Sequence, residues 1–267
     1  MFFADLKKEE LVSLVDLARS FTVALERSEF DSTYQPFVNL DTGNLVAAEM
    51  LARWEAPTIG VIERDMFFKI GEETALLAPL TLWAINVSAA ALCEPHLSVS
   101  LFDSLKLWDA PPEQLTLEIT EKSLLLDPDA GLKALSDLHA HGVKIVLDNF
   151  GTGYSSLAFL KRLPVSGLKI DESFVKNMLN NSADRRIVKS IIDLAHNFEL
   201  SVVADGVEDE ETMDSLTLMG CQFAQGNLIG PSMPPSALGA WLETSPWSLN
   251  TKHSAPPVSD ASLDHRH

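Results

Sequence analysis

Residues 113–242 repeat one unit, a short apolar or β-branched run followed by a stretch with apolar residues at helical spacing. The runs at 115–119, 143–147, 167–170, 201–204 and 222–224 read as strands, and the stretches at 129–141, 155–162, 184–198, 210–219 and 235–242 as helices. The clearest helix carries Ile187, Val188, Ile191, Ile192 and Ala195 on one face. Gly142 and Pro164 mark two of the helix ends. Upstream, 34–40 and 45–51 read as strands joined by an Asp41-Thr42-Gly43-Asn44 turn, a hairpin signal. Leu11, Leu14, Val15, Ala18, Phe21 and Leu25 predict an amphipathic helix over about 6–25, and 67–77 reads as another helix. Residues 81–88 fit either a short strand or a helix end.

Strands that alternate with helices form a parallel sheet, either open or closed into a barrel. The polar positions favour the barrel: Glu118, Asp148, Lys169, Asp205 and Gln225 each fall at or near the carboxyl end of a predicted strand, where a barrel keeps its site. We therefore expect an α/β fold, a TIM-like (β/α) barrel. Glu49 lies inside the apolar run 45–51, where a carboxylate is costly unless paired or metal-bound. The richest stretch is 144–156, in which a strand runs into Asp148 and Asn149 and then a loop whose Gly151 and Gly153 permit positive φ. Ser155 or Ser156 can cap the next helix, so the whole presents a metal or phosphate site. It is not a dinucleotide fingerprint, because Ser156 stands where the third glycine would be.

Charge and composition narrow the partners. A net charge of −18 argues against binding duplex DNA or RNA, whose phosphates reward clustered Lys and Arg. A polyanionic ligand would need a local positive device such as a metal ion. Cys93 and Cys221 form no CxxC and predict a reducing compartment without disulfides. The sequence shows no signal peptide and no membrane segment, so a cytoplasmic protein is expected. We expect an N-terminal helix at 1–30, the barrel at 31–244 and a disordered tail at 245–267, in which Pro246, Pro256 and Pro257 interrupt any periodicity and His265 and His267 are solvated.

In order along the chain stand Tyr34-Gln35-Pro36, Glu49-Met50-Leu51 with Arg53, Asn86-Val87-Ser88-Ala89 and Leu117-Glu118-Ile119-Thr120-Glu121. Asp148-Asn149-Phe150-Gly151-Thr152-Gly153, Leu168-Lys169-Ile170-Asp171, Ala204-Asp205-Gly206-Val207-Glu208 and Ala224-Gln225-Gly226 follow. In these motifs the chain resembles the EAL domain, a barrel phosphodiesterase that opens cyclic di-GMP to its linear dinucleotide. The resemblance implies Mg²⁺ or Mn²⁺, which prefer oxygen ligands and supply both phosphoryl charge neutralisation and an activated hydroxide. It implies that Glu49, Asn86, Glu118 and Asp148 hold a first ion, and that Asp148 is shared with a second at the position of Asn149. It makes Lys169 the lysine that orients water or steadies charge, Asp205 the proton-transfer position, Gln225 a site glutamine and Glu121 the anchor of the glycine loop. Gln35, Arg53, Asp171 and Glu208 would then contact cyclic di-GMP, Arg53 at a phosphate.

Three departures qualify that expectation. Asn149 replaces the second aspartate of the motif and loses a negative charge where the second cation would be held. Asp205 replaces a glutamate and is one methylene shorter, a displacement able to cost roughly 100-fold in rate. Between Glu49 and Asn86 the chain is short by about one outer helix, leaving a face that a second copy or a protein partner could cover. An alternative alignment would put Ser100, not Asn86, at the asparagine position. The expected function is a metal-dependent site that binds cyclic di-GMP with weak or lost hydrolysis; the alternatives are an active phosphodiesterase and a protein-interaction module.

Overall fold

A computed structural model describes residues 30–56, 60–62, 86–87, 92, 94, 96–107, 109–124, 127–153 and 157–247. The expected helices at 6–25 and 67–77, the serine cap at 155–156, the shortened segment before Asn86, Cys93 and the histidines of the tail lie outside these residues.

One sheet of nine strands organises the fold, in the spatial order β3-β2-β1-β9-β8-β7-β6-β5-β4. Its strands are β1 (Phe30–Asn39), β2 (Leu45–Ala56), β3 (Gly60–Ile62), β4 (Asn86–Val87), β5 (Thr116–Thr120), β6 (Lys144–Phe150), β7 (Gly167–Ile170), β8 (Ser201–Ala204) and β9 (Phe223–Gln225). From β4 to β9 all neighbours are parallel. The hairpin strand β1 runs against both β2 and β9, and β3 against β2. The expected β-hairpin forms, with Gly43 at φ 67 and the Thr42 amide donating to Asn39 Oδ1 at 2.8 Å.

Seven helices follow or precede these strands: α1 (Leu97–Leu107), α2 (Pro128–Ala140), α3 (Leu157–Leu160), α4 (Glu172–Asn177), α5 (Ser182–Asn197), α6 (Glu210–Leu218) and α7 (Pro235–Thr244), counted among the described residues. Local chemistry explains their starts. The side chains of Asp127, Asn181 and Asp209 accept from the amides of Ala130, Ala183 and Thr212, satisfying donors that a helix start leaves open. Helix α2 stops at a turn closed by Gly142, whose φ of 96 suits glycine.

Strand alternation separates two environments. Leu117, Ile119, Ile145, Leu147, Leu168, Ile170, Val202, Ala204 and Ala224 join one core with Val188, Ile192 and Ala195 of α5 and Leu135 and Leu138 of α2. The intervening positions, including Glu118, Val146, Asp148, Lys169, Val203 and Gln225, take the opposite face and are buried as well. A sheet with both faces buried is what a (β/α) barrel requires. Trp247 also packs against the core. None of the helices among the described residues is long and apolar enough to cross a membrane.

Two expectations need correction. The alternative alignment fails, because Ser100 belongs to α1, in which Leu97 and Leu101 are spaced i, i+4 and turn one helix face to the core. Asn86 instead lies in β4, in register with Glu118 of β5. The strand expected to end at Leu147 continues to Phe150, with an irregularity against β7 between Leu147 and Phe150, so Asp148 and Asn149 lie inside it. Removing the fully buried Ile192 side chain by Ile192→Ala is expected to destabilise the protein by about 2–5 kcal/mol in urea unfolding. Lys189→Ala on the exposed face of the same helix should cost less than about 1 kcal/mol.

Candidate functional site

Lys169 is the centre of the concave face. Its Nζ donates to Glu49 Oε2 at 2.7 Å and to Glu118 Oε2 at 3.0 Å, and Asp205 Oδ2 lies 3.8 Å away. Gln225 Nε2 donates to the same Glu49 Oε2 at 2.9 Å, while its Oε1 is buried with no protein partner. Glu49, Glu118, Asp148, Lys169 and Gln225 are all buried, whereas the Asp205 side chain keeps 29% of its surface exposed. Five strands, β2, β5, β6, β7 and β9, and the residue that follows β8 therefore send one polar side chain each to a single place.

The electrostatics follow from burial and a shortage of cations. Burial pushes the Glu118 carboxyl up to about 8; Lys169 opposes the shift, and Glu49 and Asp148 add to it. Burial would lower Lys169, but Glu118, Glu49, Asp205 and Asp148 together hold it well above the usual lysine range. Burial also raises Asp205, against the pull of Lys169. One ammonium thus faces four carboxylates.

Above this floor opens a cleft of about 380 Å³ lined by oxygen-rich side chains. Gln35, Asp148, Asn149, Lys169, Asp171, Asp205 and Glu208 line it, which joins seven of the residues expected from sequence. Asn149 is exposed at its lip with φ 54, a region that asparagine and aspartate tolerate better than other side chains. Its amide donates to Asp148 Oδ1 at 2.8 Å, and its carbonyl accepts from Thr152 Oγ1 at 2.9 Å. Asp171 also caps α4, accepting from the Ser173 amide at 2.9 Å. Gln35 is the register partner of Glu49 and donates to Gly230 O at 3.4 Å.

The remaining expected residues sit elsewhere. Arg53 lies on β2 four residues past Glu49, so it shares that strand face, and it is half-buried. Glu121 is buried in a 3₁₀ turn after β5, with its Oε2 where a β-carbon on Gly153 would collide, so the glycine loop rests directly on this carboxylate. Asn86 is placed by its backbone in β4. The cleft also has lining residues not expected as site residues, among them Glu172, Lys176 and Asn227. The i, i+4 spacing of Glu172 and Lys176 directly after Asp171 was the available signal for two of them.

The donor set suits a hard divalent cation: carboxylates and carboxamides, with a buried Gln225 Oε1 to spare. Among the described residues no three acids, histidines or cysteines are gathered into a cation cage; Glu49 and Glu118 are drawn onto Lys169 instead.

The family model described as "EAL domain" matches residues 18–86 and 82–232. The bifunctional diguanylate cyclase/cyclic di-GMP phosphodiesterase MucR of Pseudomonas aeruginosa is 37% identical over 253 residues, covering 86% of this chain and 36% of that protein. A cyclic di-GMP phosphodiesterase of the same species is 31% identical over 252 residues, covering 84% and 43%. This chain therefore spans less than half the length of either relative. The structure of the PaMucR phosphodiesterase in complex with c-di-GMP superposes with a TM-score of 0.79 at 36% identity, over 84% of this chain and 99% of that one. An EAL enzyme in its form bound to cAMP and cyclic di-GMP gives 0.82 at 28% identity, over 88% and 70%. With a family match over most of its length and this shared fold, the chain belongs to the EAL domain family.

Proposed function

We propose that the cleft binds cyclic di-GMP at a metal-dependent phosphodiesterase site whose hydrolysis is weakened. The observation that carries the reading is the pairing of an assembled floor with a neutral lip. Glu49, Glu118, Asp148, Lys169 and Gln225 converge, while the residue beside Asp148 is Asn149. Glu49, Glu118 and Asp148 are the residues to hold Mg²⁺ or Mn²⁺, with Asn86 and Asn149 as the neutral donors that the family resemblance adds. When bound, such an ion neutralises phosphoryl charge and lowers the pKa of its water.

The chain's own residues do the rest. Lys169 keeps its proton and places a positive charge at the cleft floor, next to Asp205 at 3.8 Å. Asp205 faces the cleft, and its raised pKa makes it a better proton acceptor near neutral pH than an ordinary aspartate. Asn149 offers an oxygen but no charge, which weakens the hold on a second cation.

Calorimetry of the full chain with Ca²⁺ should detect cyclic di-GMP binding; no heat at millimolar ligand would reject the reading. With Mn²⁺, formation of the linear dinucleotide should be slow, rise at least about tenfold in Asn149→Asp, and vanish in Glu49→Ala. Fast turnover by the parent, unchanged in Asn149→Asp, would favour the active-enzyme alternative.

The same charge shortage predicts a pH effect on stability. Glu118 binds its proton more tightly in the folded protein, about 8, than at its ordinary 4.5. Its contribution is thus full below about 4.5 and is lost as pH rises through about 8. In EDTA, the stability of the parent relative to Glu118→Gln should fall by a few kcal/mol across that window, and excess Mn²⁺ should reduce the fall. A difference that stays flat in EDTA would show that Glu118 ionises like an exposed carboxylate.

A further inference from the structure

Two loops form lips of the cleft. One carries Asn149 with Gly151 and Gly153, the other Asp205, Gly206 and Glu208. Both rest on the same short helix, α4. A β-carbon on Gly151, at φ 102, would stand 3.1 Å from Phe174 Cε2 and 3.1 Å from Ile191 Cδ1, so the first loop lies directly against the Phe174 ring and α5. A β-carbon on Gly206, at φ 78, would stand 2.6 Å from Glu172 Cβ and 3.2 Å from its Cα, so the second loop lies against α4 itself. Glycine permits such approaches at these φ values.

The helix is a firm seat. Val175 and Met178 are fully buried in the core, and the Asp171 side chain caps the first turn by accepting from the Ser173 amide. Phe174 differs from its buried neighbours: it is half-buried, packs along the margin of the core and turns its ring edge to Gly151. Close-packed side chains transmit strain, so a shift at one flank of this wedge is felt at the other.

The Asn149 loop therefore has two supports, Glu121 beneath Gly153 and Phe174 with Ile191 beside Gly151. Between them Asn149 is tied only through its backbone, its amide donating to Asp148 Oδ1 at 2.8 Å and its carbonyl accepting from Thr152 Oγ1 at 2.9 Å. Where Gly151 sits decides where the Asn149 side chain points. We propose that Phe174 is a positioning residue: it sets the Asn149 loop against the Asp205 loop through α4, and so fixes the spacing of the two lips across which a phosphodiester is held. The proposal rests on the cyclic di-GMP reading of the cleft.

The test uses the full chain with Phe174→Ala, which removes the ring, and Phe174→Leu, which keeps most of its apolar volume. In amide NMR spectra without ligand, Phe174→Ala should shift or broaden Thr152 and Gly153 on one lip and Gly206 on the other, and Phe174→Leu should restore most of both. Ile192→Ala is the control for lost stability, since it removes none of the atoms nearest Gly151 or Gly206. Changes confined to one lip, or equal in Ile192→Ala, overturn the proposal. With Mn²⁺, the roughly tenfold gain in turnover expected from Asn149→Asp should shrink to about twofold beside Phe174→Ala and return beside Phe174→Leu, because a group about 1 Å out of place loses its effect. An undiminished gain overturns the proposal as well. Should Phe174→Ala not fold, Phe174→Val takes its place in both measurements. If Asn149→Asp brings no gain in the parent chain, the reading of Asn149 as the weak point of the site fails, and the ligand-free spectra alone decide on Phe174.

Discussion

The Lys169 ammonium joins carboxylates from strands that are far apart in the sheet. Between β2, which carries Glu49, and β5, which carries Glu118, the strand order leaves six inter-strand steps. In a flat sheet these would separate the two by roughly 29 Å. A single nitrogen nevertheless lies within 3.0 Å of both. Only a sheet curled upon itself allows this, so the ion cluster and the barrel curvature are one constraint. A buried charge must be paired, and the pairing fixes which strands face each other across the interior.

The same constraint decides the chemistry of the interior. Four carboxyl groups around one ammonium cannot all ionise in so buried a place without leaving uncompensated negative charge. The consequence is visible in Glu118, whose carboxyl is pushed up to about 8 by burial even with Lys169 in contact. A hydrophobic interior of similar volume would be easier to fold. Retaining the acids makes sense where a cation or a reacting phosphate is to be received, which links the packing of the barrel to its reading as a phosphodiesterase-type site.

Much of this was legible in the sequence, for a physical reason. Strands at 167–170 and 201–204 match the expected bounds because each is a short apolar run closed by polar residues, and α5 is found within two residues of its expected ends because its apolar stripe is strong. Helix α1 was missed because Leu97-Ser98-Val99-Ser100-Leu101 satisfies a period of two as well as a period of four, and only contact with the core decides between them. The end of β6 was misplaced because Asn149 looks like a turn residue and does adopt positive φ, while the strand resumes at Phe150. Glu172 and Lys176 follow Asp171 into the cleft on α4; their i, i+4 spacing was legible, but a surface ion pair was the simpler reading of it.

Asn149 also shows which part of the site the fold controls. At φ 54 the position accepts asparagine and aspartate about equally, and its backbone amide and carbonyl make the local bonds to Asp148 and Thr152. Its side chain is exposed at the cleft lip. The choice between carboxamide and carboxylate is therefore nearly free of folding consequences, unlike the choice at Glu49 or Lys169, where a lost partner strands a buried charge. A site arranged this way can change its charge at the lip while its floor and its glycine loop stay intact. In the proposed reading, the charge of the lip bears on turnover while the buried floor bears on binding, because only the floor residues are tied into the packing of the barrel.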